Sequence, residues 1–207
     1  MNTIKLNFIN RSNDQNNSQV VIFQKNVAAD LDELAVAWKV IDNCGQGDNH
    51  PFNYPMQVTV AASDSYGNFT PQLPASFGQA FDMVRSKSGD ILQLSGTPAV
   101  DPQEIGVRNL LQTGSISAYC FRDNSVCALK SNIAPGQEAV FTFKPNIWIG
   151  VASQILQGEV INSAIISNIN TELSLLGISE ADIIMTGGGP GADSQPFVFS
   201  MENIVYA

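Results

Sequence analysis

Between residues 138 and 153 the chain reads EAVFTFKPNIWIGVAS. Every second residue from Ala139 onward is apolar: Ala139, Phe141, Phe143, Pro145, Ile147, Ile149 and Val151. The interleaved Glu138, Thr142, Lys144 and Asn146 are polar, and Val140 and Trp148 are the exceptions. Side chains on a strand point alternately to opposite faces, so this period of two commits one row of bulk to a core. Pro135-Gly136 marks a turn before the segment. Pro145 has no N–H to give a ladder, so the run is an edge, a bulged strand or two consecutive strands.

The same alternation recurs along the chain. Residues 3–9 set Ile4, Leu6 and Phe8 against Lys5 and Asn7, and residues 19–25 are apolar through their middle. The turn-formers NRSNDQNNS separate them, and the two segments are expected to pair as a hairpin. Residues 28–41 fit either a helix capped by Asp30 or a strand from about Leu34, and the neighbouring strands favour the second. DNCGQGDNHPFNYP, residues 42–55, reads as the longest irregular stretch. Strands are predicted over 56–63, 79–85 and 90–94, with loops over 64–68 and 71–76. Residues 97–103 form a further loop, the place for a seam if the chain has one. Residues 104–111 fit a strand or a short helix.

Residues 115–121 and 126–130 should form a hairpin around Asp123-Asn124, with Phe121 opposite Val126 and Cys120 opposite Cys127. Further on, Ile161, Ile165 and Ile169 allow a short helix before an alternating strand at 168–175. Ser179-Glu180-Ala181 fits one helical turn. A strand at 182–186, a glycine loop at 187–194 and a closing strand at 196–203, with Phe197, Phe199 and Met201 on one face, complete the chain. Roughly ten to thirteen short strands with turn signals every eight to twelve residues predict an all-β fold. The expectation is one antiparallel β-sandwich or jelly-roll-like domain over residues 1–207, with at most one or two short helices.

Charged residues make up only 14% of the chain, and the formal net charge is −9. Non-specific nucleic-acid binding and docking on anionic membranes both depend on Lys and Arg, so neither is expected. No stretch approaches the roughly 20 apolar residues of a membrane helix, and no basic region leads into an apolar run at the start. Three cysteines cannot form a fully paired disulfide framework, so a reducing cytoplasm is expected.

The candidate sites are few. Cys44, Asp48, His50 and Tyr54 share the 42–55 stretch, but one His and no C-x-x-C fall short of zinc-site spacing, and no metal or cofactor is expected. Gly177-Ile178-Ser179-Glu180-Ala181 is one residue off a nucleophile elbow, and any triad would need His50. The Gly187–Gly191 run lacks the Lys-Ser/Thr of a phosphate loop. Asp64, Ser65, Asn68, Asp123 and Asn124 have the chemistry of hairpin turns. Trp38, Tyr54, Tyr66, Phe69 and Trp148 offer rings for a sugar-stacking platform. Trp148 and Val140, on the polar face of the 138–153 segment, mark either a second buried layer or an interface.

The leading expectation is therefore a non-enzymatic protein that associates with copies of itself or with another protein, through Trp148 and Val140. The alternative is a module for neutral glycans, with Asp48, His50, Tyr54 and Tyr66 as ligand-binding residues. A hydrolase built on His50 comes third.

Overall fold

A computed structural model describes residues 3–28, 35–169 and 171–207. The described residues form sixteen strands, one short α-helix and a 3-10 turn at Gly191–Asp193. In chain order the strands are β1 (Thr3–Asn10), β2 (Gln19–Phe23), β3 (Ala37–Ile41), β4 (Asn49–Pro55), β5 (Val58–Ser63), β6 (Leu73–Ala75), β7 (Ala80–Ser86) and β8 (Gly89–Leu94). There follow β9 (Ile105–Asn109), β10 (Ile116–Arg122), β11 (Ser125–Ile133), β12 (Glu138–Phe141) and β13 (Asn146–Ala152). The helix α1 (Ser163–Asn168) precedes β14 (Thr171–Ser174), β15 (Ile178–Gly188) and β16 (Gln195–Tyr206). The protein is all-β, as the alternation predicts. The Asp30 cap and the strand start at Leu34 lie outside the described residues.

The contacts of the chain cluster into two compact units. The first holds the sheets β16-β15-β1-β4 and β14-β13-β2-β3; the second holds β11-β10-β5-β6 and β12-β9-β7-β8. The β1/β15 and β7/β9 pairs are parallel and the other strand pairs antiparallel. The 138–153 segment is two strands, and the chain passes from the second unit to the first at Pro145. The loop 97–103 lies inside the second unit.

In the first unit Leu6, Phe8, Ile22, Ile147, Ile149 and Ile183 are buried, as is Trp38, whose ring meets Phe52 and Tyr54 edge-on at 6.1 and 5.6 Å. Burying each such side chain contributes about 1.5–3 kcal/mol. The β14-β13-β2-β3 sheet is covered on its other face as well. There Val21, Phe23 and Ala37 pack with Ile155, Ile161 and Ile169, flanked by Trp148, Ile165 and Ile166. Two covered faces explain why β2 reads QVVIF with no alternation. Asn162 caps α1, its side chain accepting from Ile165 N at 3.0 Å.

In the second unit Val60, Phe81, Met83, Ile105, Val107, Ile116, Ala139 and Phe141 are buried. Asn109, fully buried, donates to Gly114 O and Ile133 O at 2.9 Å each and accepts from Leu111 N. Every polar atom of its amide is thus satisfied without water. Arg108 joins Glu138 at 3.2 Å and holds the loop that precedes β9 through Thr97 O and Pro98 O.

Several local expectations are corrected. β1 and β2 do not pair; they lie in different sheets, because each has an apolar row to bury against long-range partners. Residues 49–55 form an edge strand whose Phe52 and Tyr54 point inward, hidden from pattern reading by Pro51 and Pro55. Leu73–Ala75 is a short edge strand rather than loop. Ser179, Glu180 and Ala181 sit in β15 rather than a helical turn. Phe121 does face Val126, but a bulge sets Cys120 opposite Ala128 and leaves Cys127 donating to Cys120 O at 3.3 Å. All three thiols are free and buried. No helix among the described residues is long and apolar enough to cross a membrane.

Candidate functional site

The residues of the 42–55 stretch do not assemble a site. Asp48 is exposed and closes a turn: its carboxylate accepts from Gly45 N at 3.0 Å and its carbonyl from Asn10 N. Cys44 is buried beneath it, and burial together with the Asp48 charge pushes its thiol up, away from nucleophilic use. His50 is half-buried opposite Phe8. Tyr54 is 1% exposed and its hydroxyl accepts from Gln24 Nε2 at 2.6 Å, so it is a core ring with no face for a ligand. Trp38, also 1% exposed, leaves the platform for the same reason. Among the described residues no three His, Cys, Asp or Glu side chains converge.

Ser179 and His50 are apart. Lys5 stands level with Glu180 on β15, and Phe8 level with His50 on β4. Four residues along and two strands across is roughly 16 Å, too far for proton transfer. Ser179 Oγ donates to Val205 O.

Trp148 is half-buried on the covered outer face of its sheet. Its ring stacks on Phe23 with centroids 6.4 Å apart, and Lys25 Nζ stands 3.4 Å above it. Of the two alternatives for this residue, the second buried layer is present. Val140, half-buried on β12 in the other unit, is opposite Gly106 and its carbonyl accepts from Asn26 Nδ2.

A cluster of rings lies in the second unit, on the outward face of β11-β10-β5-β6, with Tyr119 and Phe121 half-buried and Phe69 exposed. Phe69, 58% exposed, lies 4.8 Å from the Tyr119 ring, and Tyr119 lies 6.2 Å from Phe121. On this face Tyr119 is flanked by Ala61 and Leu129, Phe121 by Thr59 and Val126, and Ser117 by Ser63. Tyr119 is the only ionisable residue among them. The adjoining loop is tightly tied. Asp64 accepts from Tyr66 N, Asn68 N and Asn68 Nδ2, and these bonds hold its carboxyl below the usual range. The loop raises Tyr66, 91% exposed, at its tip. Sequence reading found Tyr66 and Phe69 but missed Tyr119 and Phe121. The legible signal is the alternation in β10, where Ile116, Ala118 and Cys120 go inward and Ser117, Tyr119 and Phe121 outward.

The second open feature is β16, the longest strand and the last of its sheet. Its 12 residues extend roughly 40 Å. Most sheet edges here are short or carry Pro; β16 is restrained only by Pro196 near its start, the Glu202–Arg11 ion pair at 2.8 Å and a bulge beside Asn203. Between residues 197 and 201 it has no charge, Pro or Gly, and Val198 is exposed.

The chain matches no protein-family model, no curated protein and no solved structure.

Proposed function

We propose that the protein is a non-enzymatic β-sandwich protein that acts through self-association, and that β16 is the edge through which two copies meet. The observation that carries this reading is the uncharged stretch at 197–201 of a long strand that, among the described residues, pairs with β15 on one side and ends its sheet on the other. An open edge is a template for another strand, and soluble proteins usually block one of this length more fully. The stretch is self-complementary. Antiparallel pairing centred on Phe199 sets Phe197 opposite Met201 of the second copy and Val198 opposite Ser200. Glu202 then meets Pro196, so no like charges face each other.

The low charge of the chain supports the same reading, since neutral surfaces repel their copies weakly. The three buried, free thiols fit a reducing, cytoplasmic setting. Self-association through β16 replaces Trp148 as the interface, because Trp148 already has partners within its own chain.

Light scattering over a dilution series tests the proposal. The wild type should be a dimer that dissociates on dilution. The double variant Val198→Lys/Ser200→Lys, which sets lysines directly opposite each other in both halves of the pairing, should be monomeric with an unchanged circular dichroism spectrum. A wild type that is monomeric throughout, or a double variant that still dimerises, would overturn the reading.

A further inference from the structure

We propose that the outward face of the β11-β10-β5-β6 sheet binds a neutral oligosaccharide, whose sugar rings stack on Phe69, Tyr119 and Phe121. The proposal does not depend on β16. Three observations point to this class of ligand.

The rings form a continuous row on the outward sheet face, with steps of 4.8 and 6.2 Å and interplanar angles of 48° and 29°, exposed at Phe69 and half-buried at Tyr119 and Phe121. An open row suits an extended ligand with repeated apolar faces, which a pyranose chain presents through its ring C–H groups. A compact metabolite would gain little burial on such a face.

The positions that flank the rings across the strands are neutral, and the adjoining loop adds the Asp64 carboxylate. Single-stranded nucleic acid also stacks on aromatic rows, but it needs Lys and Arg along its backbone. The flanking positions hold Thr59, Ser117, Leu129 and Val126, and Arg122 at the end of β10 is buried. Sulfated or uronic sugars would find no cation among these flanking positions.

The rim supplies hydroxyl and amide groups beside the rings, as sugar hydroxyls require. Thr59, level with Phe121, donates through Oγ1 to Gln72 Oε1 at 2.7 Å, which fixes the Gln72 amide on the β6 side of Thr59. On the other side the Asp64 bonds fix the loop that carries Tyr66 and Asn68, so little ordering cost falls on binding.

The test is saturation-transfer NMR followed by calorimetry on the whole protein, with cellohexaose, xylohexaose, mannohexaose and laminarihexaose as probes and a sulfated heparin hexasaccharide beside them. At least one neutral hexasaccharide should bind, with transfer strongest at ring C–H protons. Phe69→Ala and Tyr119→Ala should each weaken that binding by about tenfold, the loss of one aromatic contact. Leu94→Ala, exposed on β8, should leave it unchanged. Because Phe69 is largely exposed, its variant folds even if Tyr119→Ala does not. Failure of all four neutral probes, preference for the sulfated one, or unchanged affinity in Phe69→Ala would overturn the proposal. So would loss of dimerisation in Phe69→Ala, because a second copy would then occupy the face.

Discussion

Gly187 shows how a single residue is dictated by its neighbours. It lies near the end of β15 with φ +91°, and a Cβ there would collide with the Pro196 carbonyl on β16. Its own carbonyl accepts from Asn13 N at 2.7 Å, tying the 10–18 loop to the strand. The glycine run is thus set by steric closeness and left-handed backbone, which only Gly meets at little cost. Gly187→Ala should destabilise the protein by about 3 kcal/mol, combining backbone strain with a displaced strand. A thermal melt checks this: Tm should fall by roughly 6–12 °C. The thiols make a related point. Burial raises the Cys120 thiol well above its usual range. Cys127, though equally buried, is held down by the Cys120 thiol beside it and by the Arg122 guanidinium. The bulge beside Cys120 sets it opposite Ala128, and no spacing rule in the sequence announces that register.

The β14-β13-β2-β3 sheet is the clearest case of an element whose meaning depends on what covers it. Its inward row buries Ile22, Ile147 and Ile149, and its outward row carries Val21, Phe23 and Trp148 under the segment that includes Ile155, Ile161 and Ile169. Ile169 fills the space beside Gly150, where a side chain would push it away. Trp148 therefore joins two layers of one chain. Trp148→Ala should cost about 2–3 kcal/mol, somewhat less than a fully buried aromatic. It should lower the denaturant midpoint while leaving the light-scattering mass unchanged. A mass change at constant stability would return Trp148 to the role of interface. Strand β4 carries the complementary lesson. Pro51 and Pro55 argue locally against a strand, yet as an edge it needs only one row of ladder bonds, and its inward Phe52 and Tyr54 meet Trp38.

At the scale of the whole molecule, charge and edge act against each other. Each copy carries a formal net charge of −9, so two copies repel at long range even where their contact surface is neutral. Self-association through β16 should therefore tighten as salt rises. Light scattering at about 20 mM and at about 500 mM NaCl should show a smaller dissociation constant at the higher concentration, where the screening length is only a few ångströms. Association that weakens with salt would point to paired charges and away from β16. By itself the sequence determined the all-β class, most strand positions and the inward row of nearly every strand, because alternation of side chains is a local property of an extended backbone. It also bore the break at Pro145, since a missing N–H is a property of one residue. The tertiary structure alone decided which strands are neighbours, that contacts gather into two clusters, that Trp38 and Tyr54 are core while Phe69, Tyr119 and Phe121 line an open face, and that β16 is left at an edge. Those facts rest on pairings between residues far apart in the chain, and a strand's pattern says which of its faces is buried but not what buries it.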